Sequence, residues 1–174
     1  MEPLTLRAWA ESDFPLLQRA NTPAMTAHLN GPESDQQLIE RHERYLRLWS
    51  TGEARTFVIL EDDLPVGSIG YWHTDWHGQP SFETGWFVLP EAQGRGVASA
   101  ALTLLLADAR SHRGEKRMLV ASPGVENLAS NGVCRRSGFT LVGTFAETFR
   151  DAELTMNEWV LDLTGGPVDR GPRL

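Results

Sequence analysis

The segment Gln93-Gly94-Arg95-Gly96-Val97-Ala98 is the most informative stretch of this 174-residue sequence. Gly94 and Gly96 lack a Cβ atom, so backbone N–H groups there can approach a diphosphate closely. The residues that follow carry apolar side chains at helical spacing, and the N-terminus of a helix attracts anions. Arg95 and Ser99 can add side-chain donors. The segment therefore predicts a phosphate-binding loop between a strand and a helix.

The same residues admit other interpretations, of which a plain strand-to-helix turn is the simplest. A dinucleotide-binding fingerprint requires a third Gly or Ala, where this sequence has Ser99, and an acidic residue at a strand end about 20 residues later, where none is predicted. No Gly-Lys-Ser or Gly-Lys-Thr triplet supports a nucleoside-triphosphate loop, and no Gly-x-Ser-x-Gly segment supports a hydrolase. On this segment alone, the plain turn and the phosphate site both remain open.

Hydrophobic periodicity on either side of the segment predicts an alternation of strands and helices. Strands are predicted at 4–8, 56–61, 66–72, 81–89, 117–121, 140–149 and 154–163. Helices are predicted from Phe14, from the capping-box sequence at Ser34 to Gly52, over 98–110 and over 128–137. This order of elements indicates an α/β (α+β) fold.

Length and composition favour one domain in the cytoplasm. We expect that domain at 1–164, followed by a disordered Gly- and Pro-rich tail at 165–174. The net charge of -7 disfavours a nucleic acid partner, and no apolar run is long enough for a membrane span or a secretion signal. A single cysteine, Cys134, leaves no pair for a disulfide or a structural metal site. We therefore expect a metal-free cytoplasmic protein, either a monomer or a homodimer.

A second block of sequence lies downstream of the first. Asn127-Leu128-Ala129-Ser130 opens a predicted helix that closes at Gly138-Phe139. Gln93, Gly96 and Ala98 fit the pattern Gln/Arg-x-x-Gly-x-Gly/Ala, and with the second block they resemble the two signature motifs of the GNAT superfamily of N-acetyltransferases. Two matching motifs in the expected order are far more specific than the glycine loop by itself.

The resemblance covers residues 4–163, and the opening Leu4-Thr5-Leu6-Arg7 is similar to the ribosomal-protein (RimJ/RimL-like) branch of the superfamily. It implies a mixed, mostly antiparallel central sheet of six to seven strands, splayed at strands 4 and 5 and flanked by about four helices. It also implies transfer of an acetyl group from acetyl-coenzyme A to a primary amine by direct attack.

The family resemblance also implies which residues bind the cosubstrate. The pantetheine arm would lie against the end of the fourth strand, at Phe87 and Val88, where unpaired backbone groups can take its amides. Asn127 matches the family asparagine that bonds this arm, although it could also cap the following helix, and Ser130 has the same two alternatives. The predicted set is Phe87, Val88, Gln93, Gly94, Arg95, Gly96, Val97, Ala98, Ser99, Asn127 and Ser130.

Three residues are candidates for the chemistry. Glu83, within the predicted fourth strand, is placed where some family members carry a general base, although it could equally be a solvated strand carboxylate. Ser122 occupies the other base position of the family, where a serine can only position a water molecule or the amine. Cys134 replaces the tyrosine that acts as an acid in many members, and its thiol could donate a proton or simply pack in the core.

The acceptor is the least defined part of the prediction. His73 and His77 are predicted to lie in a loop before the fourth strand, where they are candidates for contacting the substrate. Four tryptophans are expected near the amine groove: Trp49, Trp72, Trp76 and Trp86. A protein N-terminus and a small-molecule amine both remain open as acceptors. The alternative function is a non-catalytic module that senses acyl-coenzyme A.

Overall fold

The computed structural model describes residues 3–165, which form one seven-stranded sheet with helices on both faces. The strands are β1 (Leu4–Ala8), β2 (Ala54–Glu61), β3 (Leu64–Trp76), β4 (Gln79–Val88), β5 (Met118–Ala121), β6 (Thr140–Phe149) and β7 (Ala152–Asp162). The helices are α1 (Phe14–Ala20), α2 (Asp35–Thr51), α3 (Val97–His112) and α4 (Leu128–Arg136), with short 3-10 helices at Glu11–Asp13, Ala27–Leu29 and Pro90–Ala92. The predicted tail lies outside the described residues, except for Gly165.

The strand order is β1-β2-β3-β4-β5-β7-β6, and every neighbouring pair is antiparallel except β4 and β5. This arrangement confirms the predicted mixed, mostly antiparallel sheet with four α-helices. Among the described residues, no helix is both long and apolar enough to cross a lipid bilayer.

Three tight turns set the strand register. The turns at Asp62-Asp63, His77-Gly78 and Arg150-Asp151 each place two consecutive residues at positive φ, between 47° and 80°. Two positive φ values in a two-residue connection are typical of the type I′ turn, whose twist matches that of the flanking strands. The second of these turns makes β3 and β4 longer than predicted, because Trp76 still pairs with Gln79.

Helix α2 begins and ends where its sequence predicts. The Gln37 backbone N–H donates to Ser34 Oγ (3.2 Å), and the Ser34 N–H donates to Gln37 Oε1 (2.8 Å). This reciprocal capping box satisfies two backbone donors that the first turn would leave without partners. Gly52 ends the helix at φ 79°, which a residue without Cβ adopts without strain.

Helix α3 is fixed to the sheet by a partly buried polar contact near its C-terminal end. Asp108 on α3 accepts hydrogen bonds from Arg55 Nε (2.8 Å) and from the Tyr71 hydroxyl (2.7 Å). Fully buried Ala101, Leu102 and Leu105 pack the same helix against the sheet. These contacts hold the N-terminus of α3, with its glycine loop, beside the end of β4.

The sheet opens between β4 and β5. Only three residue pairs join these strands, from Phe82 with Leu119 to Thr84 with Ala121. Beyond Thr84, β4 continues to Val88 while paired with β3 alone. The predicted splay of the fourth and fifth strands is therefore present, and it leaves one side of 85–88 without a neighbouring strand.

Candidate active site

The loop that leads into α3 exposes unpaired backbone donors. Gly94 and Gly96 have φ values of 76° and 79°, in the left-handed region that favours glycine. Gly96 is the N-cap residue and provides no side-chain cap, and the first N–H that bonds within the helix is that of Ala100. The N–H groups of 97–99 thus have no partner in the helix, and the helix dipole makes this end attractive to an anion.

Ser99 adds a second, independent sign of a ligand at this end of α3. Its Oγ atom is buried and has no hydrogen-bond partner within the described residues. A buried hydroxyl without a partner costs free energy, so such groups are usually satisfied by a ligand, water or ion. Val97 and Ala98 pack against the core instead, with Val97 fully buried.

Two side chains of the loop are already engaged with the protein. Gln93 Nε2 donates to the carbonyl oxygen of Val88 (2.8 Å), which ties the loop to the end of β4. Arg95 makes a two-bond ion pair with Glu61, at 2.9 and 3.2 Å. Gln93 therefore positions the loop, while Arg95 reaches sideways to the end of β2 and uses two of its five donors there.

The second sequence motif, which begins at Asn127, lies on the other side of the opening between β4 and β5. Asn127 is the N-cap of α4, and its Oδ1 accepts the Ser130 backbone N–H (3.2 Å). This contact uses only the oxygen of the Asn127 amide, so its NH2 group is left to donate elsewhere. Asn127 and Ser130 both line the groove described next.

A groove of about 760 Å³ runs from the opened sheet to α1 and α2. Its floor is formed by β3 and β4, one wall by α2 with the segment that precedes it, and the other wall by β6 and β7. The floor includes Trp72, Glu83, Trp86 and Phe87, and Ser122 lies at the end of β5 beside them. The groove therefore extends from the predicted pantetheine position toward α1 and α2.

Glu83 faces this groove in an environment suited to a base. Burial raises the pKa of its carboxyl group, the Trp72 indole N–H lowers it by donating to Oε2 (3.2 Å), and the negative charge of Glu147 raises it again. The net direction is upward, toward neutral pH. A carboxyl group with a raised pKa binds a proton more readily than an ordinary surface glutamate.

Glu147 is the residue that the sequence analysis missed. It lies on β6 opposite Leu154 of β7, lines the groove, and acts on Glu83 as a like charge. Like charges within a few ångströms disfavour ionisation of one partner. Its sequence context, Phe145-Ala146-Glu147-Thr148-Phe149, reads as an ordinary exposed strand with alternating side chains, so no local signal marks it.

Cys134 does not reach the groove. It lies on α4, is fully buried, and packs in the core that α3 and α4 form against the sheet. Burial raises the pKa of its thiol to about 12. A thiol that is both inaccessible and so weakly acidic is poorly suited to donate a proton, and the position fits the packing alternative.

One expectation about the acceptor side is wrong: the loop predicted to carry both His73 and His77 is not present. His73 lies in β3, paired with Phe82, and only His77 belongs to a turn, where its Nε2 lies 3.0 Å from Glu158 Oε1. The predicted loop is absent because the sequence through Trp76 pairs fully with β4. His73 still lines one end of the groove, and Trp72 and Trp86 line the groove as well. Trp49 and Trp76 lie on α2 and β3, which border the groove, but they are not among its lining residues.

Within residues 3–165, no group of three His, Cys, Asp or Glu side chains is placed to hold a metal ion. Apart from the buried Cys134, the predicted site residues fall into two sets. One set, 93–99 with Val88, surrounds the start of α3; the other, Glu83, Phe87, Ser122, Asn127 and Ser130, lines the groove.

The sequence also matches a known family over most of its length. The Acetyltransferase (GNAT) domain family matches residues 3–140. The chain belongs to this family. The family assignment based on the glycine loop and the Asn127 block is thus confirmed, and with it the predicted enzyme class, an N-acetyltransferase that uses acyl-coenzyme A.

Individual relatives agree with the family match. The ribosomal-protein-serine acetyltransferase of Escherichia coli (strain K12) is 31% identical over 159 residues, covering 87% of this chain and 88% of the relative. A solved structure of RimL, a ribosomal alpha-N-protein acetyltransferase, has a TM-score of 0.77 at 26% identity, with 91% of this chain and 90% of that chain covered. These two relatives confirm the predicted branch of the superfamily.

A third relative shows how widely the fold is shared. The spermidine N-acetyltransferase of Vibrio cholerae, solved with coenzyme A and spermine, has a TM-score of 0.77 at 19% identity and covers 92% of this chain and 96% of its own. At this identity the likeness confirms the fold alone.

Proposed function

We propose that residues 1–164 form a single N-acetyltransferase domain that moves the acetyl group of acetyl-coenzyme A to a primary amine held in the groove. The observation that carries this proposal is the meeting of two features at the end of β4. On one side lie the unpaired backbone donors at the start of α3, and on the other lies a groove with a carboxyl group, Glu83, whose pKa is raised.

The residues around the opened sheet fit acetyl-coenzyme A. The backbone N–H groups of 97–99 and the partnerless Ser99 hydroxyl suit the oxygens of a diphosphate. The free side of 85–88, which includes Phe87 and Val88, can pair with the amides of a pantetheine arm as a further strand would. The Asn127 NH2 group can donate to the same arm. When bound, the cosubstrate supplies an acetyl thioester.

The acceptor amine must first lose a proton. An alkyl ammonium group has no lone pair for attack, so a base must remove a proton near neutral pH. Glu83 would take this proton into its carboxylate, while Glu147 adds negative charge that favours the ammonium form of the amine on arrival. Trp72 holds the Glu83 carboxylate in place through its indole N–H.

The remaining steps require little from other side chains. The amine nitrogen forms a bond to the acetyl carbon, and the carbon–sulfur bond breaks with its electron pair staying on the sulfur. The second proton that the nitrogen loses passes through water to this thiolate, which leaves as the free thiol, and Glu83 returns the first proton to solvent. Ser122, at the end of β5, is placed to position a water molecule or the amine. Cys134 would contribute packing rather than a proton.

The acceptor class follows from the same groove. The named relatives acetylate a ribosomal protein or a polyamine, and both acceptors present a primary amine. For this protein we propose a protein N-terminus or a small-molecule amine as acceptor, with no role for nucleic acid or membrane, in a cytoplasmic monomer or homodimer.

The experiment that tests this function measures free thiol released from acetyl-coenzyme A across a panel of amines, including peptides that begin with Ala, Ser or Met. We expect amine-dependent release with at least one acceptor and acetylation of that acceptor. Binding of coenzyme A without release by any amine would contradict the proposal and favour a non-catalytic sensor of acyl-coenzyme A.

A further inference from the structure

The sheet side and the α2 side of the groove carry opposite charges. The sheet side presents the carboxyl groups of Glu83 and Glu147. The α2 side presents Arg41, Arg44, Tyr45 and Leu48, which follow the spacing of one helix face. An acceptor between the walls therefore meets negative charge at one end and positive charge at the other.

Arg41 is already neutralised by its neighbours. Its Nε atom donates to the Tyr45 hydroxyl (2.6 Å), and NH1 donates to Glu33 Oε1 (3.1 Å). Glu33 is itself fixed, because its backbone N–H and C=O bond the side chain of Asn21. This pair is a structural contact that shapes the wall, and it leaves little charge for a ligand.

Arg44 differs from Arg41 in having no such partner. It is exposed, and within residues 3–165 no carboxylate lies within ion-pair distance of it. Glu40, one helical turn earlier, accepts from Gln36 (3.1 Å) instead. Arg44 therefore presents an uncompensated guanidinium group to the groove, a group that forms paired hydrogen bonds with carboxylates and phosphates.

We propose that Arg44 is a specificity-determining residue that binds an anionic group of the acceptor, so that the substrate class is a peptide N-terminus with an acidic residue close behind the amine. This inference rests on the proposed acetyl transfer. The amine lies at Glu83 and Glu147, and the acidic side chain lies at Arg44 across the groove.

The separation of the two walls sets the position of the acidic residue. Packed layers of secondary structure lie roughly 10 Å apart, and an extended peptide advances about 3.3 Å per residue. A carboxylate on the second to fourth residue of the acceptor spans such a distance. The same arrangement disfavours a polyamine, because its second ammonium group would face Arg44.

Other charged groups of the groove do not offer the same contact. Glu53 and His73 lie at the end near the start of β2, and His28 lies in the segment before α2. Arg44 is thus the one permanently charged and uncompensated cation that lines the groove in the part of the chain described by the structure.

The test compares peptides that begin with Ser and carry Asp at the second, third or fourth position with matched Asn peptides. In the wild-type protein we expect Asp at one position to raise kcat/KM about tenfold over Asn, which is typical of one hydrogen-bonded charge pair. Arg44→Gln should remove this Asp preference. Arg47→Gln is the matched control, because Arg47 is exposed on the same helix but does not line the groove, and the preference should persist there.

Equal kcat/KM for Asp and Asn peptides at every position would overturn the inference, as would a preference that survives Arg44→Gln. The charge preference can also be measured without turnover. With coenzyme A bound, the Kd values of the Asp and Asn peptides are compared in the wild-type protein and in Arg44→Gln. Failure of the inference therefore differs from failure of the proposed function: the first leaves thiol release without a charge preference, and the second abolishes thiol release.

Discussion

The loop at the start of α3 spans seven consecutive residues, 93–99. The acceptor groove instead takes residues from α1, α2, α4, all strands from β2 to β7, and the loops between them. The loop side works mainly through backbone: two glycines at positive φ and the first N–H groups of a helix. The groove side instead presents side chains, among them Glu83, Glu147 and Arg44, to which we assign the proposed roles.

This difference explains why the loop can be recognised from the sequence and the groove cannot. A backbone site depends on a short local pattern, so it can be recognised in one sequence. A side-chain site depends on the pairing of distant strands, so its members are separated along the chain, as Glu83 and Glu147 are. In the proposed function the loop binds the donor of the acetyl group, and the side chains of the groove select the acceptor.

The largest expected effect is on the groove side, at Glu83. Glu83→Gln keeps an acceptor for the Trp72 N–H but cannot take a proton, so kcat/KM should fall on the order of a hundredfold near neutral pH. Steady-state kinetics with any accepted amine measure this loss. Glu126→Gln, an exposed carboxylate that does not line the groove, should leave the rate unchanged. An unaltered rate in Glu83→Gln would remove Glu83 as the base.

On the loop side, two glycine substitutions distinguish the effect of backbone strain from the effect on cosubstrate binding. Gly96→Ala and Gly78→Ala both force Ala to φ near 80°, so each should lower the free energy of unfolding by about 1 kcal/mol. Only Gly96→Ala should also raise KM for acetyl-coenzyme A, by about tenfold, because its loop would shift relative to the α3 N-terminus. Denaturant unfolding and initial rates provide both values. Equal KM in the two variants would contradict a role for the loop in binding.

A third, smaller effect concerns the pH dependence of the rate. In the proposed mechanism the active form carries the Glu83 carboxylate, so kcat/KM should fall as pH drops through the pKa of Glu83. Glu147→Gln removes a like charge and lowers this pKa, which shifts the acidic limb to lower pH; Trp72→Phe removes a stabilising donor and shifts it to higher pH. Rate profiles of both variants provide the measurement. If Glu147→Gln instead abolished the limb, Glu147 would be the base.

The smallest effect on turnover is expected at Cys134. Cys134→Ala removes a buried sulfur and should cost about 1 kcal/mol of stability, yet kcat/KM should stay within about twofold of the wild-type value. Urea unfolding and steady-state rates test the two parts. Normal stability together with a large loss of turnover would restore the thiol as a catalytic acid.

Much of the fold could be predicted because its signals are local. The capping box at Ser34, the C-cap at Gly52 and the apolar spacing of α3 each depend on neighbouring residues. The extension of β3 through His73 could not be predicted, since it depends on pairing with β4 beyond the His77-Gly78 turn. The placement of β7 between β5 and β6 likewise depends on contacts between residues far apart in sequence.

The candidate site divides in the same way. Gly94, Gly96 and Asn127 could be found from motifs, because their roles depend on backbone conformation and helix capping. Glu147 and the charge of Arg44 could not, since their significance depends on which side chains share the groove. The ion pair of Arg95 with Glu61 also joins two distant segments.

The central claim is that cosubstrate and amine meet in one groove and react directly. The initial-rate pattern, measured while both substrates are varied, tests it most directly. Direct attack predicts intersecting double-reciprocal lines, because both substrates must be bound together before the acetyl group moves. Parallel lines, with an acetyl group found on the enzyme after incubation with acetyl-coenzyme A alone, would contradict the account and indicate a covalent intermediate.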